Sequence, residues 1–292
     1  MANFYNEQSK NVRRTWVLMI IFLLIIIGLG YLASYWYGNP HILYGAIIFS
    51  LLMNVASYWY SDRIVISLTG ARLANRSEYP DLYNIVENLS ITAGLPMPKV
   101  YIVDEAAPNA FATGRDKNHA AVAVTTGLLK LLDRAELEGV VAHELAHIGN
   151  RDILLSTVVV VLVGFVTILA DIFLRGGIGR SNDNNRGANL IVIIGLVFVI
   201  LSPIIAKLIQ LAISRKREFL ADASAVELTR FPDGLARALQ KIESAHIPMQ
   251  KTNNAIAHLY ISNPVSGFGR KISNLFRTHP PTAERVKALI GH

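Results

Sequence analysis

The sequence predicts a mainly helical α+β domain with a small sheet, fused to four transmembrane helices. Three observations carry that reading. Four apolar runs, Thr15–Tyr31, His41–Tyr60, Ile153–Phe173 and Leu190–Ala206, are each about as long as a helix needs to cross a bilayer. The segments beside them, 61–152 and 207–292, turn polar and periodic. And 52% of the 292 residues are hydrophobic while only 17% are charged, with a mean hydropathy of +0.37, too apolar for an ordinary soluble globule. The chain thus divides into an N-terminal hairpin (1–60), a first domain part (61–152), a second hairpin (153–206) and a second domain part (207–292).

Residues 1–14 are polar and end in Arg13-Arg14. The first apolar run is too long for a cleaved signal peptide, lacks a small-x-small cleavage site, and is followed by a second run after Gly38-Asn39-Pro40. Trp59 and Tyr60 close that second run, where interfacial aromatics are expected. Beyond them the pattern changes. Leu82, Ile85, Val86 and Leu89 recur at i, i+3, i+4, i+7 and predict an amphipathic helix that stops near Gly94-Leu95-Pro96. Lys99–Val103 is a β-branched and aromatic run, and Asn109–Gly114 and Ala120–Thr125 read as two more strands around an Arg115–Asn118 turn. Asp133 followed by Glu136 resembles a capping box, opening a helix from Arg134 to Gly149 whose apolar stripe is Leu137, Val140, Val141 and Ile148.

The second hairpin follows, its two runs joined by a loop rich in glycine, asparagine and arginine. Past Ala206 the helical pattern continues through Lys207, Gln210 and Arg215-Lys216-Arg217, so this helix is expected to leave the bilayer and project into water. Phe231–Gly234 is a turn, a helix runs on to Ala245, and Ile247–Lys271 lacks periodicity and reads as a loop. Four spans put both termini and both polar parts on one side. Lys10, Arg13, Arg14, Arg63, Arg151, Arg215, Lys216 and Arg217 flank that side; the other has Arg175, Arg180 and Arg186 only. The bias places the polar domain in the cytoplasm. These cations account for the net charge of +7 as topology anchors. No nucleic-acid-binding signature accompanies them, so the expected partner is the lipid bilayer and not nucleic acid. Cysteine is absent, which excludes disulfides and thiolate ligands; any metal must be held by histidine and carboxylate.

The chemistry concentrates in His143-Glu144-x-x-His147. At 3.6 residues per turn the two histidines share one helix face, spaced for a single metal ion, and Glu144 stands beside them to take a proton from an activated water. A catalytic zinc takes three protein ligands. Glu218 supplies a third, and Asp222, four residues on and on the same face, can accept the free ring N–H of a ligand histidine. Taken alone, the pair reads equally well as a solvated charged face. Height favours the metal reading: continuous helices with a rise of ~1.5 Å per residue would carry His147 and Glu218 to roughly 10–18 Å from one membrane face.

With those residues in place the chain resembles the HtpX-type membrane-bound zinc metalloproteases, relatives of the CAAX prenyl endopeptidases. The resemblance rests on the four-span layout, His143-Glu144-x-x-His147, Glu218-x-x-x-Asp222, Asn109-Ala110-Phe111 and Thr278-His279-Pro280-Pro281. It implies a zincin-like (gluzincin) fold, one Zn2+ per chain on His143, His147 and Glu218, and Glu144 as general base. It also implies hydrolysis of misfolded or damaged membrane proteins as polypeptide substrates, in a bacterial-type inner membrane. Under the same resemblance Asn109, Ala110 and Phe111 belong to an edge strand that pairs with substrate backbone, the alternative being a plain core strand. His279 would donate to the oxyanion, the alternative being a structural turn fixed by the two prolines. Two other functions remain open: a CAAX-type processing protease, against which the four spans speak, and a non-catalytic membrane scaffold, which has no need for Glu144. His41, His119, His246, His258 and His292 are left without a role.

Overall fold

The computed structural model describes residues 2–178, 214–245, 247–249, 256, 259–262 and 280–291. Two long helices, α1 (Ala2–Tyr37) and α2 (His41–Trp59), form the N-terminal hairpin. Both are long and apolar enough to cross a membrane, over Ser9–Tyr35 and His41–Trp59. α1 is two-faced. Leu18, Phe22 and Ile26 are buried, whereas Trp16, Ile20 and Leu24 are at least half exposed, an apolar surface suited to lipid. A short α3 (Ser61–Thr69) and the two-residue strand β1 (Arg72–Leu73) lead into α4 (Pro80–Thr92). Sequence periodicity missed α3 and β1, each too short to show a period.

Strands β2 (Lys99–Val103), β3 (Ala110–Gly114) and β4 (Ala120–Thr125) complete a four-stranded sheet in the order β1-β2-β4-β3. β2 runs parallel to β4, with Val100 opposite Val122; β1 and β3 are antiparallel to their neighbours, with Phe111 opposite Ala123. α5 (Thr126–Leu131) then leads to the histidine-bearing α6 (Arg134–Gly149), followed by α7 (Asp152–Ile178), α8 (Arg215–Thr229), α9 (Pro232–Ala245) and α10 (Thr282–Ile290).

Strand alternation explains why the sheet is covered on both sides. Val100, Ile102, Ala110, Ala112, Val122 and Val124 face a core built with α4, α6 and α9. Val103, Phe111 and Ala123 face a second core built with Leu18 and Phe22 of α1, Val65 of α3 and Leu155 and Val158 of α7. Burying one such side chain contributes roughly 1.5–3 kcal/mol. The sheet therefore draws stability from the membrane hairpin as well as from its own helices. Arg115, in the turn after β3, stacks over the Trp59 ring at 4.7 Å and donates to the Trp59 carbonyl at 3.2 Å, tying the sheet to the end of α2.

Two expectations need correction. First, α6 and α7 do not continue one another: they bend by 84° at the Asn150-Arg151 break, and only together are they long and apolar enough to make a third span. Asn150 closes α6 through its N–H to the Ala146 carbonyl, and Arg151 adopts a left-handed φ of 57°. The height argument from straight helices therefore fails for His147. Second, the helix bearing Glu218 starts afresh at Arg215, because Ser214 is extended with φ −140° and ψ 116°. The polar N-terminal residues belong to α1, and Asn11 is fully buried. The described residues thus hold two candidate spans, or three with the bent pair. The fourth expected run, Leu190–Ala206, and the loop before it lie outside the described residues, as does most of Ile247–Lys271.

Candidate active site

α6 is held from its first turn. The Asp133 side chain accepts from the Glu136 N–H at 3.0 Å and Glu136 accepts from the Asp133 N–H at 2.9 Å, a complete capping box. Glu136 is buried and pairs with Lys241 of α9 at 2.7 Å. One turn on, α6 and α9 touch closely enough to require glycine: a Cβ on Gly139 would stand 2.7 Å from the Leu235 nitrogen, and one on Gly234 2.7 Å from the Ala135 oxygen. This crossing fixes the rotation of α6 and with it the direction of the histidines.

His143 and His147 point to one place, their Nε2 atoms 3.2 Å apart and their rings nearly perpendicular at 88°. Glu218 reaches the same point from α8, with Oε2 3.7 Å from His143 Nε2 and Oε1 3.6 Å from His147 Nε2. One ligand atom from each of the three residues lies within 4.8 Å of the others. Ligands about 2.0–2.1 Å from a tetrahedral zinc stand about 3.3 Å from one another. The residues present fit such an ion: two imidazole nitrogens and a carboxylate, at about that spacing.

Each histidine is turned by a carboxylate on its far nitrogen. His143 Nδ1 lies 2.9 Å from Asp222 Oδ1, and His147 Nδ1 lies 3.0 Å from Asp152 Oδ2. Both Nε2 atoms are thereby turned toward the metal position. Behind Asp222 sits Arg285 of α10, buried, donating from Nε to Oδ2 at 2.9 Å and from Nη2 to Oδ1 at 2.6 Å. Arg285 Nη2 is also 3.4 Å from His143 Nδ1, but the shorter carboxylate contact decides where that nitrogen donates.

The two imidazoles differ in charge preference. Burial, helped by the Arg285 cation, pushes His143 down to about 4, so it stays neutral and ready to ligate. Burial also opposes charge on His147, but the Asp152 hydrogen bond and the Glu218, Asp152 and Glu144 charges win and raise it to about 9, so a metal at its Nε2 has to displace a proton. Asp222 is itself held down at about 2: burial would raise it, and the Arg285 and His143 hydrogen bonds overcome that. Glu144 is buried beside the cluster, and its charge acts on both His147 and Arg285.

β3 is the sheet's edge strand, packed on α6 and α7. Its start is already engaged. The Ala110 carbonyl accepts from the Ile261 N–H at 3.0 Å, and the Asn109 side chain donates to the Ser262 carbonyl at 2.9 Å and accepts from its N–H at 3.2 Å. Phe111 is buried edge-on against Tyr260, with ring centroids 5.2 Å apart. His279 lies outside the described residues; Pro280 and Pro281 lead straight into α10. Sequence reading overlooked Arg285, Asp152, Arg217 and Asn11. Asp152 had a signal, an acid in the first turn of the next helix. Arg285 had none, being one cation among many.

The model of peptidase family M48 matches residues 76–291. The protease HtpX homolog of Thermoanaerobacter pseudethanolicus is 49% identical, covering 98% of this chain and 96% of that protein. The one from Thermococcus kodakarensis is 48% identical and covers 94% of each. Among solved structures, the crystal structure of S. mikatae Ste24p matches with a TM-score of 0.52 at 16% identity, covering 99% of this chain and 67% of that one, a likeness of fold. With a family match spanning both parts of the metal cluster and relatives alike over nearly the full length, this chain belongs to peptidase family M48, as a metallopeptidase homologous to HtpX.

Proposed function

We propose that the chain is a zinc-dependent endopeptidase that hydrolyses peptide bonds of misfolded or damaged membrane proteins, with its site at the cytoplasmic face. The observation that carries this is the meeting of His143, His147 and Glu218 with buried Glu144 beside them, at the corner where α6 bends into apolar α7. His143, His147 and Glu218 hold one zinc ion. When bound, zinc supplies Lewis-acid polarisation of the scissile carbonyl and acidifies a water. Glu144 takes the proton from the attacking water and delivers it to the leaving amine. Asp222 and Asp152 keep both imidazoles in the tautomer that presents Nε2.

His279 donates to the oxyanion on this reading, supported by its place just before α10, the helix that carries Arg285. An extended substrate segment adds to the edge of β3. The Thr125 N–H bonds the Asn109 carbonyl, so by alternation the Ala110 and Ala112 groups face away from β4. Since Ala110 is engaged by Ile261, substrate pairs at Ala112 or takes the place of Ile261.

The deciding experiment is cleavage of an unstructured polypeptide by detergent-purified protein, with and without chelator. Glu144→Gln should keep its zinc and lose about 10²–10⁴-fold in turnover, and His279→Ala should lose turnover with zinc intact. Chelator-insensitive cleavage, or normal turnover in Glu144→Gln, sinks the mechanism. Substrate class is read by asking whether a destabilised membrane protein is cleaved faster than its native form; equal rates refute the quality-control assignment. Because the chain has no cysteine, Lys117→Cys reports the side of the domain. Labelling from outside intact cells would refute the cytoplasmic placement.

A further inference from the structure

A buried polar cluster lies beyond the metal ligands and joins three distant parts of the chain. Asn11 of α1 is fully buried, although it belongs to a helix whose next turns expose apolar side chains such as Trp16 and Ile20. Its Nδ2 donates to Asp152 Oδ1 at 2.6 Å and to the Asn150 carbonyl at 3.3 Å. Its Oδ1 accepts from Arg217 Nη1 at 3.4 Å, while Arg217 Nε lies 3.4 Å from the same Asp152 oxygen. The other Asp152 oxygen faces His147 Nδ1 at 3.0 Å. Asn150, Arg151 and Asp152 form the 84° corner, and Arg217 immediately precedes Glu218.

We propose that Asn11, on the N-terminal membrane helix, is a positioning residue of the metal centre: it fixes Asp152, which fixes the imidazole of His147. The chemistry of the amide suits the place. Asp152 needs a donor and Arg217 needs an acceptor, and one asparagine side chain provides both in a fixed geometry. A carboxylate at position 11 would face Asp152 with like charge; an alanine would leave the Asp152 oxygen to Arg217 alone. The metal centre then depends on a residue outside the 76–291 segment that matches the peptidase family. The membrane hairpin is part of the site's support as well as its anchor.

The proposal rests on His147 being a metal ligand, so the test carries both. Zinc affinity of the full-length, detergent-purified protein is measured by competition with a chromophoric chelator, in wild type, His147→Ala, Asn11→Ala, Asp152→Asn and the Asn11→Ala/Asp152→Asn double variant. Thr15→Val is the control. It removes a buried hydroxyl one turn along α1 that, among the described residues, bonds to the Asn11 carbonyl at 2.9 Å. Asn11→Ala is expected to weaken zinc about 10-fold, as loss of a ligand's outer partner does. It should lower kcat with KM for an unstructured peptide unchanged, and add nothing in the Asp152→Asn background. Thr15→Val should leave zinc affinity unchanged. If Asn11→Ala does not fold, the same-sized Asn11→Asp is read in its place and should be weakened further. Zinc affinity within twofold of wild type in a folded Asn11 variant overturns the proposal, as does a loss fully additive with Asp152→Asn or an equal loss in Thr15→Val. Zinc retained by His147→Ala overturns this proposal and the metal-site reading together; zinc lost there but kept in the Asn11 variants overturns this proposal alone.

Discussion

His143 and His147 lie one turn apart on the same helix, yet the two are supported in opposite ways. His143 leans on Asp222, whose charge is matched by a bidentate, buried Arg285 from the C-terminal helix. His147 leans on Asp152, which is shared between the asparagine of a membrane helix and an arginine of α8. The first support is an ion pair within the peptidase domain. The second is a mixed polar clamp that ties that domain to the membrane hairpin. One motif thus rests on two foundations, and the charge behind each decides how it fails.

The largest effect is expected on the His143 side. Arg285→Leu leaves the Asp222 carboxylate buried without its cation, and removing one partner of a buried pair costs about 3–5 kcal/mol. The loss should appear in chemical denaturation of the micelle-solubilised protein. Without Arg285 nearby, His143 becomes more basic, so a proton on its ring competes with the metal. Pairing Arg285→Leu with Asp222→Asn should recover much of the stability, since neither charge then remains, without restoring zinc affinity. A single variant as stable as wild type would show that the pair is not what holds α10 to the site.

Much of this was legible in the sequence where the signal was local. The capping box at Asp133 and the strands Lys99–Val103 and Ala120–Thr125 stand where the sequence places them, whereas the helix to Ala245 starts at Pro232, inside the expected Phe231–Gly234 turn, because proline suits a first helical turn. The i, i+4 spacings alone put His143 with His147 and Glu218 with Asp222 on common faces. What was not legible depends on pairs far apart in the chain. Arg285 meets Asp222 across 63 residues and Asn11 meets Asp152 across 141, and no periodicity encodes either contact. The corner was half visible: Gly149-Asn150 after the last apolar residue of α6 is a helix stop. Asn11 also left a trace. It shares a face with Thr15, Leu18, Phe22 and Ile26, all buried, so a polar residue stands on the stripe that packs inward.

A smaller effect sharpens the contrast between the two histidines. Asp222→Asn and Asp152→Asn both keep an oxygen that can accept from a ring N–H, so neither breaks the hydrogen bond outright. Both should still lose zinc affinity, within the roughly 10–100-fold typical of a ligand's outer partner. The losses should not be equal. In Asp222→Asn the Arg285 cation keeps its place beside His143 with its counter-charge gone, and that positive charge opposes the binding of a dication. In Asp152→Asn the cation beside the lost charge, Arg217, stood farther from Asp152, at 3.4 Å, than Arg285 does from Asp222. Asp222→Asn is therefore expected near the top of the range and Asp152→Asn near the bottom, read by chelator competition at fixed pH. The reverse order would mean that the clamp from the membrane helix, and not the buried ion pair, is the stronger support of the metal centre.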